Sequence, residues 1–153
     1  MSNRAGRMAE LMAESQRHYA AYSLFNQAMA EHLGLHPTDL QCVALLDLEP
    51  GPVTTGELAA LTGLTPSATS RLVDRLEKAG FVVRHTDPGD RRRALVSLVP
   101  RTCAAVAEAW EVPGRAFAEV LGDYDDDQLQ LIADYLRRAA DVGREQARRL
   151  SDS

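Results

Sequence analysis

The sequence of 153 residues predicts a mainly α-helical fold with one small β-hairpin. Apolar residues recur at helical spacing before residue 34 and after residue 100, and two β-rich runs flank a turn-rich loop between them. A hydrophobic content of 45% and a charged content of 25% are typical of a globular domain. A chain of this length buries a sizeable core without disulfide bonds or a structural metal ion.

The first predicted helix lies between residues 8 and 33, where apolar side chains recur largely every three or four positions. Gly34 marks its end, because glycine readily adopts the backbone conformation that terminates helices. Thr38 and Gln41 have the spacing of a capping box, which predicts the start of a second helix. That helix ends before the Pro-Gly-Pro segment at residues 50–52, which cannot continue it.

Two short helices joined by a glycine come next. Thr54 stands three residues before Glu57, which predicts another capping box at the start of a short helix. Gly63 supplies the turn that follows. Thr65-Pro66, a favoured N-cap before a first-turn proline, opens a helix that reaches residue 79. Two helices joined in this way predict a helix-turn-helix.

A β-hairpin is predicted directly after this helix. Residues 81–86 and 94–99 are rich in strand-forming side chains. The loop 87–93 between them begins with Asp-Pro-Gly-Asp, a strong turn signal, and ends in three consecutive arginines. A helix-turn-helix followed by a hairpin is the arrangement of a winged helix.

Two helices are predicted to complete the chain. Pro100 begins the first of them, and Pro113-Gly114 should kink or interrupt it. Asp125 and Gln128 have capping-box spacing and open the last helix. The predicted fold is therefore a winged helix-turn-helix with an N-terminal and a C-terminal helical arm.

Basic and small polar residues of the winged helix form a candidate interface with nucleic acid. Seven residues make up this predicted interface: Ser67, Ser70, Arg71, Arg75, Arg91, Arg92 and Arg93. Small hydroxylated residues near a helix start allow the backbone to approach a major groove, and arginines reach guanine edges or phosphate oxygens. Guanidinium groups on a projecting loop also suit a narrow minor groove.

Simpler interpretations exist for both groups of residues. A solvated helix presents a polar side of the same kind. The three arginines could equally belong to a solvated turn with Asp87 and Asp90 as local partners. At least one of these arginines is expected to pair with Asp90 or Asp74. Because side chains alternate along a strand, the three cannot all point the same way.

The distribution of charge favours the nucleic-acid interpretation. The whole chain has a net charge of −5, which by itself argues against a nucleic-acid partner. Residues 66–93, however, contain seven basic and four acidic side chains, a net charge of +3, while the segments before and after them each carry −4. The candidate interface is therefore the basic part of an acidic chain.

Other classes of function find little support in the sequence. It contains no Ser/His/Asp arrangement, glycine-rich phosphate loop or Cys/His metal spacing, so we expect neither an enzyme nor a cofactor or metal site. Glu31, His32 and His36 give only a weak zinc signal. No apolar run approaches the ~20 residues of a membrane helix, and no export signal is evident. A cytoplasmic protein without membrane contact is expected.

The two cysteines, Cys42 and Cys103, lie in apolar helical segments. The absence of a basic flank or a resolving partner favours buried, reduced thiols over a redox sensor. A cysteine-based redox response remains the alternative at this point.

The sequence resembles the MarR family of bacterial transcriptional regulators. The resemblance lies in residues 72–84 (LVDRLEKAGFVVR), 87–93 (DPGDRRR) and 96–98 (VSL), which are similar to the family's recognition helix, wing and DxRxxxVxL-type pattern. It implies a homodimer whose first and last helices interlock. Each subunit is then expected to offer a winged helix to half of a palindromic operator in double-stranded DNA.

The resemblance also assigns roles to particular parts of the chain. It implies DNA contacts from Ser67, Ser70 and Arg71 and, at the wing tip, from Arg92. It implies three regions: an N-terminal dimerisation arm (residues 1–36), a winged helix-turn-helix DNA-binding domain (37–100) and C-terminal dimerisation helices (101–153). The expected role is that of a repressor.

Many members of the family bind a small aromatic or anionic effector that releases DNA. Residues that could line such a pocket here are His18, Tyr22, His36 and Trp110. Aromatic side chains at helical spacing more often pack in a core or an interface, which is the simpler interpretation of each. A second competing hypothesis keeps the fold but makes the winged helix a protein–protein interaction module.

Overall fold

The computed structural model describes residues 3–152. Within them the helices are α1 (Asn3–Leu33), α2 (Pro37–Asp47), α3 (Thr55–Thr62), α4 (Pro66–Lys78), α5 (Pro100–Leu121) and α6 (Asp126–Ser151). The strands are β1 (Val53–Thr54), β2 (Val82–Thr86) and β3 (Ala94–Leu98). The prediction of a mainly α-helical winged helix with helical arms is confirmed. The chain divides into two compact units, one reaching Leu45 and one beginning at Leu46.

The wing is a hairpin of β2 and β3 within a three-stranded antiparallel sheet of order β1-β3-β2. The predicted hairpin is confirmed, and its strands pair from Val82 with Leu98 to Thr86 with Ala94. Strand β1 was not predicted. It has two residues, Val53 and Thr54, so it is too short to show an alternating pattern, and its partner lies more than 40 positions away on β3.

Local capping interactions define the helix-turn-helix. Thr54 Oγ1 accepts the backbone N–H of Glu57 at 3.1 Å, and a Glu57 carboxylate oxygen accepts the backbone N–H of Thr54 at 2.7 Å. This is the predicted capping box. Gly63 ends α3 with a φ of 73°, a left-handed conformation that glycine adopts without steric cost. Thr65 Oγ1 then accepts the Ala68 N–H at 3.2 Å and so caps α4.

The end of α4 is closed by a Schellman motif and joined to the start of α5. Gly80, with a φ of 80°, donates its N–H to Glu77 O at 3.0 Å, and the Phe81 N–H reaches Leu76 O at 2.9 Å. The Thr102 hydroxyl in the first turn of α5 donates to Gly80 O at 2.8 Å. The Val99 N–H, one residue before α5, donates to Phe81 O at 2.8 Å. Hydrogen bonds therefore connect α4, β2 and α5 at one corner.

The core of the second unit lies where α3, α4 and the sheet contact each other. Its buried apolar residues are Leu46, Val53, Leu58, Leu72, Val73, Leu76, Phe81, Val82 and Val96. On α4 the buried side consists of Thr69, Leu72, Val73 and Leu76. The Thr69 hydroxyl donates to Thr65 O at 2.9 Å, so this buried polar group is satisfied.

The first unit contains the long helix α1 and the start of α2. Gly34 ends α1 with a φ of 69°, as predicted, and the buried Asn26 side chain donates to Pro37 O at 3.3 Å. The expected cap at Thr38 is wrong, because α2 already begins at Pro37. Proline fits the first helical position, so His36 instead of Thr38 precedes the helix, and the Leu40 N–H bonds to His36 O at 3.0 Å.

The two C-terminal helices are long and have no buried residue in the described part of the chain. The expected interruption at Pro113-Gly114 does not occur, since α5 continues through both residues as one helix. A proline removes only its own N–H bond, and the turns on both sides keep theirs. The capping box of Asp125 with Gln128 at the start of α6 is confirmed.

Candidate nucleic-acid interface

The four candidate residues on α4 are all exposed, on the sides of the helix that the core leaves open. At about 100° per residue, Ser67 lies opposite the buried side. Arg71 and Arg75 follow one flank of the helix, and Ser70 lies on the other flank. The structure therefore brings the predicted α4 contacts onto one continuous exposed surface.

The loop between β2 and β3, residues 87–93, is closed by its own aspartates. An Asp87 carboxylate oxygen accepts the Gly89 N–H at 2.8 Å, and Asp90 accepts the Arg92 N–H at 3.0 Å. The Asp87 N–H donates to Arg93 O at 3.0 Å across the base of the loop. Both carboxylates are thus engaged with backbone groups, which gives the loop a compact, defined shape.

The three loop arginines are left without carboxylate partners. Within residues 3–152, none of the guanidinium groups of Arg91, Arg92 and Arg93 forms an ion pair. The expectation that one of them pairs with Asp90 or Asp74 is therefore wrong. Asp90 binds a backbone N–H instead, and Asp74 binds a different arginine. The positive charges of the loop remain available to a ligand.

Arg84 on β2 is that different arginine, and it was not among the predicted site residues. Its guanidinium lies 2.6 Å from an Asp74 carboxylate oxygen and 3.2 Å from one of Glu77, and it donates to Ser70 O at 3.4 Å. The sequence did contain a signal for this. Side chains two positions apart on a strand lie on the same face, so Arg84 lies on the same face of the sheet as the buried Val82, the face that packs toward α4. A charged side chain there needs a carboxylate partner.

A shallow cavity of about 270 Å³ lies where the two strands of the wing meet its loop. It is lined by Arg84, His85, Thr86, Arg91, Arg92, Arg93 and Ala94. Four of these seven residues are arginines, so the cavity is a site of positive potential suited to phosphate or to another anion.

The base of the wing is electrostatically linked to the start of α3. The Thr54 N–H and hydroxyl, which bond to Glu57 in the capping box, hold the pKa of that carboxyl below its usual value of 4.5. The positive charge of Arg93 lowers the pKa further, while the charge of Asp87 opposes this. Charges of the wing loop therefore act on the carboxyl group that caps α3.

Both cysteine thiols have raised pKa values. Burial, assisted by the charge of Asp39, raises the pKa of Cys42 to about 12. Burial and the charge of Asp47 also raise the pKa of Cys103. Because the thiolate is the reactive form, these shifts disfavour the reactive state of both cysteines.

The candidate effector residues lie in aromatic pairs or at a helix start. His18 and Tyr22 are neighbours on α1, with ring centroids 6.0 Å apart. Trp110 on α5 lies 6.2 Å from Phe117 by the same measure. His36 is exposed immediately before α2. These positions agree with aromatic packing, and a pocket formed by the four residues remains a prediction.

Two kinds of feature are absent from residues 3–152. No group of three or more His, Cys, Asp and Glu side chains there could hold a metal ion. None of the helices in that range is both long and apolar enough to cross a membrane.

Comparison with known proteins places these features in a family. A sequence model described as the MarR family matches residues 33–93, which include the whole helix-turn-helix and the wing loop. The uncharacterized HTH-type transcriptional regulator YcgE of Bacillus subtilis is 39% identical over 127 residues, covering 83% of this chain and 82% of that protein.

Solved structures agree with this result. A crystal structure of MarR is similar with a TM-score of 0.60 and 25% identity, over 87% of this chain and 96% of that one. BpsR of Bordetella bronchiseptica, whose DNA binding is regulated by 6-hydroxynicotinic acid, shares the fold with a TM-score of 0.61 and 19% identity, over 84% and 91% of the two chains. The chain therefore belongs to the MarR family: it is a DNA-binding transcriptional regulator and not an enzyme.

Proposed function

We propose that this regulator is a homodimeric repressor that binds a palindromic operator, with α4 in the major groove and the wing loop in the adjacent minor groove. The observation that carries the proposal is that Arg91, Arg92 and Arg93 form no ion pair within residues 3–152, on a loop whose own carboxylates are occupied by backbone groups. Three adjacent positive charges repel one another, and the phosphates of DNA relieve that repulsion.

The exposed side of α4 supports a role in base contact. Ser67 and Ser70 are small, so the start of the helix can approach base edges closely. Arg71 and Arg75, on the neighbouring flank, are long enough to reach guanine or a phosphate oxygen. Arg92, at the wing tip, suits the enhanced negative potential of a narrow minor groove.

Dimerisation is proposed for the helical arms, residues 1–36 and 101–153. Large apolar side chains that are exposed in the single chain include Met8, Leu11, Met12 and Tyr19 on α1, Val112, Phe117 and Val120 on α5, and Leu131, Leu136 and Val142 on α6. This amount of exposed apolar surface is typical of an interface between subunits. A two-fold symmetric dimer presents two winged helices, which fits two half-sites of a palindrome.

Release of DNA by a small aromatic or anionic effector is the proposed regulation. BpsR, a protein of the same fold, is regulated in its DNA binding by such a molecule. The candidate contacts in this chain are His18, Tyr22, His36 and Trp110. The raised pKa values of both thiols argue against a cysteine-based redox response as the alternative. The proposed site of action is the cytoplasm, where bacterial operators are accessible.

The first experiment selects bound fragments from the genomic DNA of the organism that encodes the chain. Fluorescence anisotropy then measures affinity for a selected fragment and for random duplex DNA at two salt concentrations. We expect one palindromic motif, tighter binding to it than to random DNA, and affinity that falls with salt. Binding that is absent or independent of salt would contradict the proposal and favour a protein partner.

A variant of the helix surface makes the test specific. Ser70→Glu places a negative charge beside the expected DNA backbone, so specific binding should be lost while the circular dichroism spectrum stays unchanged. Ser151→Glu adds the same charge at the end of α6 and should bind like the parent chain. Equal binding by both variants would exclude the proposed α4 surface.

A further inference from the structure

The exposed surface of α4 has two flanks of opposite charge. Arg71 and Arg75 follow one flank. The other flank carries Asp74 and Glu77, the two carboxylates of this helix. Asp74 lies close to the centre of the exposed side, because at about 100° per residue it is only slightly rotated from Ser67. The helix that should enter a groove lined with phosphates therefore carries two negative charges of its own.

Arg84 lies against this acidic flank. Its guanidinium binds both carboxylates, at 2.6 Å to Asp74 and 3.2 Å to Glu77, and its third acceptor is the carbonyl of Ser70. Arg84 thus contacts Ser70, Asp74 and Glu77, which lie one turn apart along a single side of α4. Its side chain is only 30% exposed, whereas that of Asp74 is 63% exposed, so Arg84 covers the flank from the side of the sheet.

The strand holds the Arg84 backbone in a fixed place. Arg84 pairs with Val96, which is fully buried, in the middle of the β2–β3 hairpin. The Arg84 N–H also approaches a Glu77 carboxylate oxygen at 3.4 Å. The flat guanidinium fork can bind two carboxylates at once with little further loss of side-chain freedom. The interaction is therefore formed before any DNA is present.

We propose that Arg84 is a positioning residue for DNA binding: it binds Asp74 and Glu77 and offsets half of their combined negative charge, so that the acidic flank of α4 can approach DNA phosphates. This inference rests on the proposed function, because it assumes that α4 enters a groove. Without Arg84, the exposed polar side of α4 carries two unneutralised carboxylates near phosphates, and like charges repel at that distance. With Arg84, the net charge of this flank falls in magnitude from −2 to −1.

A purely structural role predicts a different outcome from neutralisation. If Arg84 only held α4 against β2, its loss would weaken binding whether or not the carboxylates remained charged. If Arg84 acts by neutralisation, removing the carboxylate charges should restore binding even without the arginine. Rescue by neutral carboxamides therefore separates the two roles.

The test measures the affinity of purified full-length variants for random duplex DNA at low salt. Arg84→Gln should bind about tenfold more weakly than the parent chain, and the deficit should shrink at high salt because ions screen the repulsion. Arg84→Gln combined with Asp74→Asn and Glu77→Gln should regain most of the lost affinity. Arg84→Lys, which keeps the charge, should lose less than Arg84→Gln.

Two controls exclude a general effect of net charge. Arg138→Gln removes the same charge from an exposed site on α6 and should bind like the parent chain. Arg84→Gln combined with Asp134→Asn and Asp141→Asn removes two carboxylates of α6 and should remain weak. Thermal unfolding of every variant verifies that each one is folded at the temperature of the assay.

Each outcome decides one of the two claims. If the parent chain shows no salt-dependent binding to duplex DNA, the proposed function itself fails. If the parent chain binds but Arg84→Gln binds equally well, only the inference about Arg84 fails. Failure of the Asn/Gln pair on α4 to restore binding, or equal rescue by the pair on α6, overturns neutralisation as the role of Arg84.

Discussion

The winged helix and the C-terminal arm differ in how far they bury their apolar side chains. On α4, the described chain buries Thr69, Leu72, Val73 and Leu76 almost completely. Helices α5 and α6 are longer, yet none of their described residues is buried. Leu72 is 1% exposed, for example, whereas Leu131 on α6 is 70% exposed. The winged helix buries its apolar side chains within one chain, and the arm leaves apolar surface exposed, as the proposed dimer requires.

This difference predicts that different residues control the folding of one subunit and the assembly of the proposed dimer. A buried leucine of the winged helix contributes to the folding of a single subunit. An exposed leucine of the arm contributes only when a second copy covers it, so its effect depends on protein concentration. Substitutions in the two regions should therefore separate folding from assembly, and the following predictions are ordered by the size of the expected effect.

The largest effect is expected for Leu136→Asp on α6. This residue is 54% exposed and shares a side of the helix with Leu129 and Ile132, so a charge there should prevent association of subunits. Loss of the second winged helix should lower affinity for the selected operator about 10²- to 10⁴-fold. Sedimentation velocity and anisotropy measure the two effects.

Gln130→Asp provides the matched control, because it introduces the same side chain on another side of α6. It should remain dimeric and bind the operator like the parent chain. A dimeric Leu136→Asp protein would contradict the assignment of this surface to the dimer.

The next effect compares two leucines directly. Leu72→Ala removes a side chain that is 1% exposed and should lower the free energy of unfolding by ~2–5 kcal/mol. Leu131→Ala, at a site that is 70% exposed in the single chain, should change it much less at low protein concentration. Urea unfolding at several concentrations measures both. Similar losses for the two variants would show that the regions do not differ as proposed.

Arg92→Ala should have a smaller effect, confined to DNA binding. The guanidinium has no carboxylate partner among residues 3–152, so its removal should leave the free energy of unfolding unchanged. Operator affinity should fall by ~1–3 kcal/mol, with a weaker dependence on salt. Arg101→Ala, which removes an arginine at the exposed start of α5, is the control. Unchanged affinity of Arg92→Ala would exclude the minor-groove role of the wing tip.

The smallest effect is expected from the capping box at Glu57. Hydrogen bonds from Thr54 lower the pKa of Glu57 below 4.5 in the folded chain. Its charged form therefore stabilises the fold above the unfolded-state pKa, and this contribution is lost as the pH falls through the lower, folded-state pKa. Glu57→Gln keeps the capping geometry without the charge. Its stability relative to the parent chain should improve between pH 6 and pH 3, as followed by thermal unfolding.

Sequence patterns predicted the features that depend on neighbouring residues. The capping boxes at Thr54 and Asp125 and the cap at Thr65 involve atoms three positions apart, so their signals are local and the structure confirms them. The residues of the hairpin likewise followed from strand propensity and turn signals.

Features that depend on distant residues were missed or misassigned. Strand β1 exists because Val53 meets Val96 on β3, which no pattern within two residues can indicate. The partner of Asp74 was expected in the loop, but Arg84 reaches it across the α4–β2 contact. The loop aspartates bind backbone N–H groups rather than arginines, because the tight turn places those groups closer. Tertiary geometry decided the first two cases, and the local geometry of the turn decided the third.

The corner that joins Gly80 to Thr102 couples the direction of α5 to that of α4. Hydrogen bonds from Thr102 to Gly80 and from Val99 to Phe81 fasten the first turn of α5 to the end of α4. Helix α5 has 22 residues and is therefore about 33 Å long. A rotation of α5 by about 5° about this corner displaces the far end of the helix by about 3 Å. If α4 and α5 turn together as one rigid body about this corner, a displacement of about 3 Å at the distal end of α5 changes the direction of α4 by only about 5°.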